Sequence, residues 1–350
     1  MKKKNVFVLG YFGYETNQLD GQTVKTRNIY ELLKNRKQEI DFDLSYFDTQ
    51  IFQSNKVSVL KMFAKIWNSD ILFYIAAHNN LKYFFPIVYV ISKLRKVHIH
   101  YVVVGGWLAE FIETKPLHIK MLRHIKGIYP QTHDLTEELK IKYKFRNVFQ
   151  LNNFRMNSNS MEITNQKVNK DNSLKLVFMA RIHPMKGVDV LFIIADKLKS
   201  LSINDVRIDI YGPIYEEYKK EFEEKLKSHN LVFYKGIIQP INIQSVLKKY
   251  DLMLFPTKYY TEGFPGSILD AYISGIPVIA TCWKYANEFI EHNVCGIITK
   301  FNDDDNFVNS TIMLIKSPGT IDLFKRNAIK QAQKYSGDSA WSILKENMFS

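Results

Sequence analysis

The segment Phe255–Thr281, FPTKYYTEGFPGSILDAYISGIPVIAT, leaves this chain few architectures to choose from. Leu252–Phe255 is a short apolar run stopped by Pro256, and the polar, Gly- and Pro-rich residues after it belong in a surface loop. From Ser267 the apolar residues Ile268, Leu269, Tyr272 and Ile273 recur at helical spacing. Gly275 suits the residue just past a helix, and Pro277 opens PVIAT, the unbroken apolar run of a buried strand. Strand, loop, helix, tight turn and strand make the repeating unit of an α/β sheet. Glu262 then lies in the loop at a strand's carboxyl end, and Asp270 inside the following helix.

That placement has chemical consequences. A helix N-terminus offers unpaired N–H groups and a positive dipole end, which suit phosphate. Gly263 and Gly266 let backbone amides approach a ligand with no side chain in the way. Glu262 and Asp270 repel phosphate but can accept hydrogen bonds from sugar hydroxyls. Either acid alone reads as an ordinary helix-start carboxylate. Together, a phosphate cradle flanked by hydroxyl acceptors points to a nucleotide sugar.

A second segment matches it upstream. Leu174–Ala180 is strand-like and leads through Arg181-Ile-His-Pro-Met-Lys186-Gly187 into a helix starting near Val188. Arg181 and Lys186 stand at the strand's carboxyl edge, where a diphosphate can meet both cations. Strands at Val206–Tyr211 and Leu231–Tyr234 follow. Gly236 and Ile237, in the loop after the latter, are placed beside a nucleotide base by position alone.

A chain of 350 residues suits two domains. The expected boundaries are an N-terminal Rossmann-like domain at 1–155, an Asn-, Ser- and Lys-rich linker at 156–172, a second Rossmann-like domain at 173–335 and a last helix at 336–350. The first domain opens with a strand, Asn5–Leu9, a long loop and a helix, Gln22–Lys37, with Ile29, Leu32 and Leu33 facing inward. It lacks GxGxxG, so dinucleotide binding is not indicated. Gly21 and Gln22, followed by Lys25 and Arg27, form a second candidate anion site at a helix start; Gly21 reads equally well as a plain turn residue. Helices are expected at Val57–Trp67, Leu81–Leu94, Lys115–Lys126 and Asp134–Tyr143. The strand Val97–Val104 ends in Gly105-Gly106, at an edge where α/β crevices take ligands.

Composition narrows the function. No apolar run approaches the ~18 residues of a membrane span. The net charge of +13 seeks anions, yet no RNA- or DNA-reading motif and no Arg-rich tract is present. Asp41-Phe-Asp43 leads into a strand and Asp303-Asp-Asp305 opens a helix, so neither reads as a metal loop. Cys282 and Cys295, in apolar strand-like segments, are expected reduced, buried and cytoplasmic.

The string Glu262-Gly263-Phe264, an acid eight places after the Glu, then Ala271 and Gly275-x-Pro277-Val-Ile, resembles the donor-site signature of group-1 (family 4) glycosyltransferases. Arg181-x4-Lys186 upstream matches it too. The resemblance implies a GT-B fold: α/β, two Rossmann-like domains facing each other across a cleft, with the last helix crossing back to the first domain. It also implies roles. Glu262 would contact the donor sugar, the Gly263–Phe264 backbone would lie against sugar and diphosphate, and Asp270 would hold the ribose hydroxyls. Arg181 and Lys186 would bind the diphosphate and stabilise the leaving group. The sequence departs from the pattern in three places. Asp270 is one methylene shorter than the usual Glu. Pro265-Gly266 replaces the commoner Gly-Leu, which is similar to a polysaccharide-biosynthesis branch. Gly105-Gly106 stands where many members carry a His, while His98 and His100 lie earlier in the strand; no catalytic His is assigned.

The expectation is therefore a retaining glycosyltransferase that moves a sugar from a nucleotide-diphosphate sugar, a UDP-sugar first, to a lipid-linked or surface-polysaccharide acceptor at the inner membrane face. Arg181, Lys186 and Glu262 are its catalytic candidates. Gly263, Phe264, Pro265, Gly266, Asp270, Gly236 and Ile237 are its donor-binding candidates, and Gly21, Gln22, Gly105 and Gly106 its acceptor or phosphate side. The two cations take the place of a metal, so no cofactor is expected. Anionic lipid is a further expected partner, through the basic segments Leu81–Lys96 and Lys115–Lys126. Two readings stay open beside it: a GT-B sugar-nucleotide epimerase or phosphorylase, and a catalytically silent protein binding nucleotide sugar or nucleic acid.

Overall fold

The computed structural model describes residues 3–16, 20–156 and 173–348, so the linker expected at 156–172 lies, Met156 apart, outside the described residues. The chain forms two compact units. Unit 1 comprises Met1–Met156 together with Ser336–Ser350, and unit 2 comprises Asn157–Tyr335.

In chain order unit 1 runs β1 (Lys4–Gly10), α1 (Gly21–Arg36), β2 (Phe42–Asp48), α2 (Ser58–Trp67), β3 (Ile71–Ala76), α3 (His78–Tyr83), α4 (Phe85–Arg95), β4 (His98–Val103), α5 (Leu108–Ile112), α6 (Pro116–Arg123), β5 (Gly127–Tyr129) and α7 (His133–Ile141). Unit 2 continues with β6 (Leu174–Met179), α8 (Asp189–Ser200), β7 (Val206–Tyr211), α9 (Lys219–Ser228), β8 (Val232–Tyr234), α10 (Ile243–Leu247), β9 (Leu252–Phe255), α11 (Gly266–Ile273), β10 (Val278–Thr281), α12 (Ala286–Phe289), β11 (Gly296–Thr299), α13 (Asp304–Ile315) and α14 (Pro318–Ala332). Helix α15 (Gly337–Met348) then joins unit 1.

Among the described residues each unit holds one sheet, ordered β2-β1-β3-β4-β5 in unit 1 and β8-β7-β6-β9-β10-β11 in unit 2. Every neighbouring pair of strands in both sheets is parallel. Apolar runs such as Ile71–Ala76 are buried throughout, as strands covered by helices on both faces must be. The strand order turns between β1 and β3 in unit 1 and between β6 and β9 in unit 2. Open α/β sheets bind ligands at such switch points, outside the carboxyl ends of the strands.

Helix α15 completes the core of unit 1. Ala340, Trp341, Leu344 and Met348 pack in one cluster with Val6, Val8, Ile29, Leu33 and Phe154. The Trp341 indole donates to Glu39 Oε2 at 2.8 Å. A single helix over Leu81–Leu94 is corrected to two, α3 and α4, broken at Phe84. Pro86 lies in the first turn of α4, where its missing N–H has no helical partner to lose. The cysteines sit beside strands rather than within them. Cys282 directly follows β10 and is half-buried, and Cys295 is buried in the turn before β11.

No helix among the described residues is long and apolar enough to cross a membrane. One surface of unit 1 is nevertheless apolar and basic. Helix α4 exposes Ile87, Val90 and Leu94, the last 70% accessible, at spacings that share one helix face. The neighbouring helix α2 exposes Leu60 and Trp67, and the Arg95 guanidinium lies 4.7 Å from the Trp67 ring. Residues 49–109 contain Lys56, Lys61, Lys65, Lys82, Lys93, Arg95 and Lys96 against one carboxylate, Asp70.

Candidate functional site

The loops leaving β6 and β9 meet at the switch point of unit 2. Their meeting depends on Gly187, whose φ is +74° and whose Cβ position would fall 1.8 Å from the Pro256 carbonyl oxygen. Any side chain there would drive the loops apart, and the left-handed φ favours glycine independently. The Lys258 amide donates to the Met185 carbonyl at 2.9 Å and ties the second loop to the first.

This contact delivers Lys186, at the end of the 3-10 turn Pro184–Lys186, onto the β9 loop. Its ammonium pairs with Glu262 Oε1, the two side chains being 24% and 17% exposed. The Thr257 hydroxyl donates to the same oxygen at 3.2 Å and accepts from the Tyr259 amide, also at 3.2 Å. The Tyr259 ring lies 4.8 Å from Lys186 Nζ, a cation–π contact. His183, whose Nδ1 accepts from the Met185 amide at 3.0 Å, packs its ring 4.6 Å from Tyr215. An ammonium has three donors, and the Glu262 pair occupies one.

Helix α11 begins beside this pair. Pro265 is its N-cap residue, no side chain caps it, and its first turn carries no acid. The helix thus brings no acid of its own to the positive end of its dipole. Gly275, with φ +72°, ends the turn that follows α11 and sends the chain into β10. Phe264 is 2% exposed, its ring stacked on Phe289 at 4.0 Å and packed on Tyr335 at 4.6 Å. The ring anchors the loop in the core. Asp270, at 4% exposure, belongs to the buried side of α11.

Thus Lys186, Glu262, Gly263, Phe264, Pro265 and Gly266 share one junction, with Arg181 exposed just beyond the end of β6. Gly236 and Ile237 lie elsewhere, after β8 at the edge of the sheet, linked to the end of β7 by the Gly212 amide donating to the Gly236 carbonyl at 2.9 Å. Gly21, Gln22, Gly105 and Gly106 belong to unit 1, at the start of α1 and after β4. The α1 start needs a correction as an anion site: Asp20 Oδ1 already accepts from the Gln22 amide at 3.0 Å and the Thr23 amide at 2.9 Å. A carboxylate thus occupies that helix end. His100 is a core residue, its Nδ1 2.9 Å from the Tyr129 hydroxyl, and burial pushes its pKa down to about 3. Sequence reasoning missed Thr257, Tyr259, His183 and Tyr215 as partners of the junction. The first two lie a few residues before Glu262 in the chain, but only the fold reveals that Thr257 bonds Glu262 and that Tyr259 faces Lys186.

Residues 160–334, half of the chain, match the model of the family described as Glycosyl transferases group 1, and the chain belongs to that family. The poly(glycerol-phosphate) alpha-glucosyltransferase of Bacillus subtilis (strain 168) is 29% identical over 165 residues, 46% of this chain and 24% of that protein. The chain spans less than half the length of the curated relatives it matches. Among solved structures, HepE of Anabaena in complex with UDP and glucose has a TM-score of 0.72 at 15% identity, covering 98% of each chain. TarM of S. aureus, in complex with Fondaparinux, alpha-GlcNAc-glycerol and UDP, has a TM-score of 0.62 at 21% identity, over 80% of this chain and 55% of that one. With the two parallel sheets, these likenesses show the GT-B fold.

Proposed function

We propose that the protein is a retaining glycosyltransferase that moves a sugar from a UDP-sugar to a lipid-linked or surface-polysaccharide acceptor without a metal. The observation that carries this reading is the Lys186–Glu262 pair beside the uncapped start of α11, at the switch point of the unit 2 sheet. As the bond from the anomeric carbon to the diphosphate oxygen breaks, negative charge gathers on the leaving diphosphate. Lys186, Arg181 and the α11 amides meet that charge, and fixed donors of this kind act without reorganising. Glu262 accepts a hydrogen bond from a sugar hydroxyl, and Asp270 from the ribose. The UDP and glucose bound to HepE support the donor assignment. The name of the Bacillus relative supports retention and a phosphate-bearing polymer as acceptor.

The apolar and basic surface of α2 and α4 supports work at an anionic membrane. Each basic residue near such a surface contributes about 1 kcal/mol, and the exposed Ile87, Val90 and Leu94 supply apolar contact.

A panel of nucleotide sugars, offered with polyprenyl-diphosphate-linked and glycerol-phosphate acceptors and read by mass spectrometry and NMR, tests the proposal. Transfer from a UDP-sugar with the donor's anomeric configuration, undiminished by EDTA, is expected. An inverted anomer refutes retention, rescue of an EDTA-treated enzyme by Mn²⁺ refutes metal independence, and an epimerised nucleotide sugar refutes transfer altogether.

A further inference from the structure

Unit 1 contains an ammonium group for which the described residues supply no counter-charge. Lys25, in the second turn of α1, is 4% exposed, and its Nζ is buried without a hydrogen-bond partner. Its neighbours are treated differently. The Thr23 hydroxyl donates to the Asp20 carbonyl at 3.0 Å, and the Thr26 hydroxyl to the Gln22 carbonyl at 2.8 Å. Arg27 donates to the carbonyls of Phe12 and Gly13 at 2.8 and 3.0 Å. The Asp20 carboxylate is turned to the α1 amides. Burial alone, with no compensating carboxylate, pushes the Lys25 pKa down to about 7. A buried cation without a partner is among the least favourable arrangements a fold can hold.

Its place in the fold gives the arrangement a purpose. Thr26, the next residue, sits against Gly10, the last residue of β1; a Cβ on Gly10 would come 2.8 Å from the Thr26 methyl and 3.2 Å from Ile75 of β3. Lys25 therefore belongs to the carboxyl end of β1 and β3, where the strand order of the unit 1 sheet turns. Such a crevice is the ligand position of this strand order.

We infer that Lys25 anchors a phosphate subsite in unit 1, the ligand's oxygen supplying the counter-charge that the described residues withhold. A phosphate oxygen makes a charge-assisted hydrogen bond to the ammonium and keeps it protonated. The phosphate-bearing acceptor of the proposed reaction carries such a group. The inference rests on that reaction for the source of the phosphate only, not for its binding.

The test is therefore a binding experiment on the full chain. Melting temperature is followed with inorganic phosphate, sn-glycerol 3-phosphate and UDP, for wild type, Lys25→Met and an Arg181→Ala/Lys186→Ala double variant. Methionine is unbranched and of similar volume, so the Lys25 variant folds. Inorganic phosphate should raise the wild-type and double-variant melting temperatures and lose at least tenfold in affinity for Lys25→Met. The same loss for glycerol phosphate, with the UDP effect unchanged, assigns the subsite to the acceptor; a loss for UDP as well overturns that assignment. With ¹³Cε-labelled lysine, the signal missing from Lys25→Met should be the one that phosphate moves in wild type. A phosphate effect of equal size in Lys25→Met, or none in wild type, overturns the inference. Neither readout requires sugar transfer, so failure of the donor panel leaves this result interpretable.

Discussion

Replacing Lys25 with methionine should make the protein more stable, by an amount that depends on pH in a defined way. In the unfolded chain the ammonium holds its proton up to its ordinary pKa of 10.5, whereas in the folded chain it releases it near 7. Between those values unfolding takes up a proton, so the stability of the wild type rises with pH. The penalty is in full force below pH 7 and absent above 10.5. At about 1.4 kcal/mol per pKa unit, the full penalty is about 5 kcal/mol. Linkage leaves nearly all of it at pH 6 and about 2 kcal/mol at pH 9. The Lys25→Met protein lacks this term, and any packing mismatch of the methionine is the same at every pH. The gap between the two proteins should thus shrink by about 3 kcal/mol from pH 6 to pH 9. The measurement belongs below pH 10, because Tyr74, Tyr101 and Tyr272 are held above their ordinary pKa by burial and destabilise the fold at higher pH. Urea unfolding followed by tryptophan fluorescence suits it, since Trp67, Trp107 and Trp341 lie in unit 1 and only Trp283 in unit 2. A gap that does not change with pH, or a wild type more stable than the variant at pH 6, would refute an uncompensated buried ammonium.

Arg181→Ala and Lys186→Ala should each lower turnover at least tenfold, since each removes a charge-assisted contact of about 1.5–3 kcal/mol to the diphosphate; unchanged kcat/KM in both folded variants excludes them from the chemistry. Glu262→Gln should lower kcat by tenfold or more and, by leaving Lys186 without its charged partner, lower the melting temperature of unit 2 by a few degrees. A shift in melting temperature with full activity would reduce Glu262 to a structural partner of Lys186. Asp270→Ala should raise the donor KM, and an unchanged KM would remove its ribose role. Ile87→Ser/Val90→Ser/Leu94→Ser should release the protein from anionic vesicles that hold the wild type at low salt; equal partitioning of the wild type onto neutral and anionic vesicles would contradict membrane docking.

The alternation of strand and helix was readable because its signals are local. The apolar run Leu252–Phe255, the helical spacing from Ile268 and the Gly275 turn each lie within a few residues, and β9, α11 and β10 follow them. The break between α3 and α4 was not readable from periodicity. Helix α3 has only six residues, too few to show a period of its own, and the only local sign in the apolar run was Pro86, which a helix accepts in its first turn. Short α5 was overlooked because five residues hold too little period to register. At the site, Glu262 and Lys186 carried their own chemistry in the sequence. Their pairing did not, since it depends on the Gly187 approach to Pro256 across residues far apart in the chain. Lys25 was visible as a cation following a candidate anion site at a helix start, but its burial was not. What singles it out is the absence of a partner among the described residues, and an absence in three dimensions leaves no mark on a linear pattern.

The return of α15 to unit 1 also orders events in time. While the chain is being synthesised, residues 173–335 leave the ribosome as one uninterrupted stretch and can fold at once. Unit 1 begins first but finishes last. Its apolar cluster around Val6, Val8, Ile29 and Phe154 stays open until Trp341, Leu344 and Met348 emerge. Unit 2 is, in effect, an insertion within an unfinished unit 1. A nascent chain halted after residue 335 would hold a closed unit 2 and an uncovered sheet, the species most exposed to chaperones and proteases. By the same logic, a circular permutant that places α15 directly ahead of β1 would let unit 1 close before unit 2 is made.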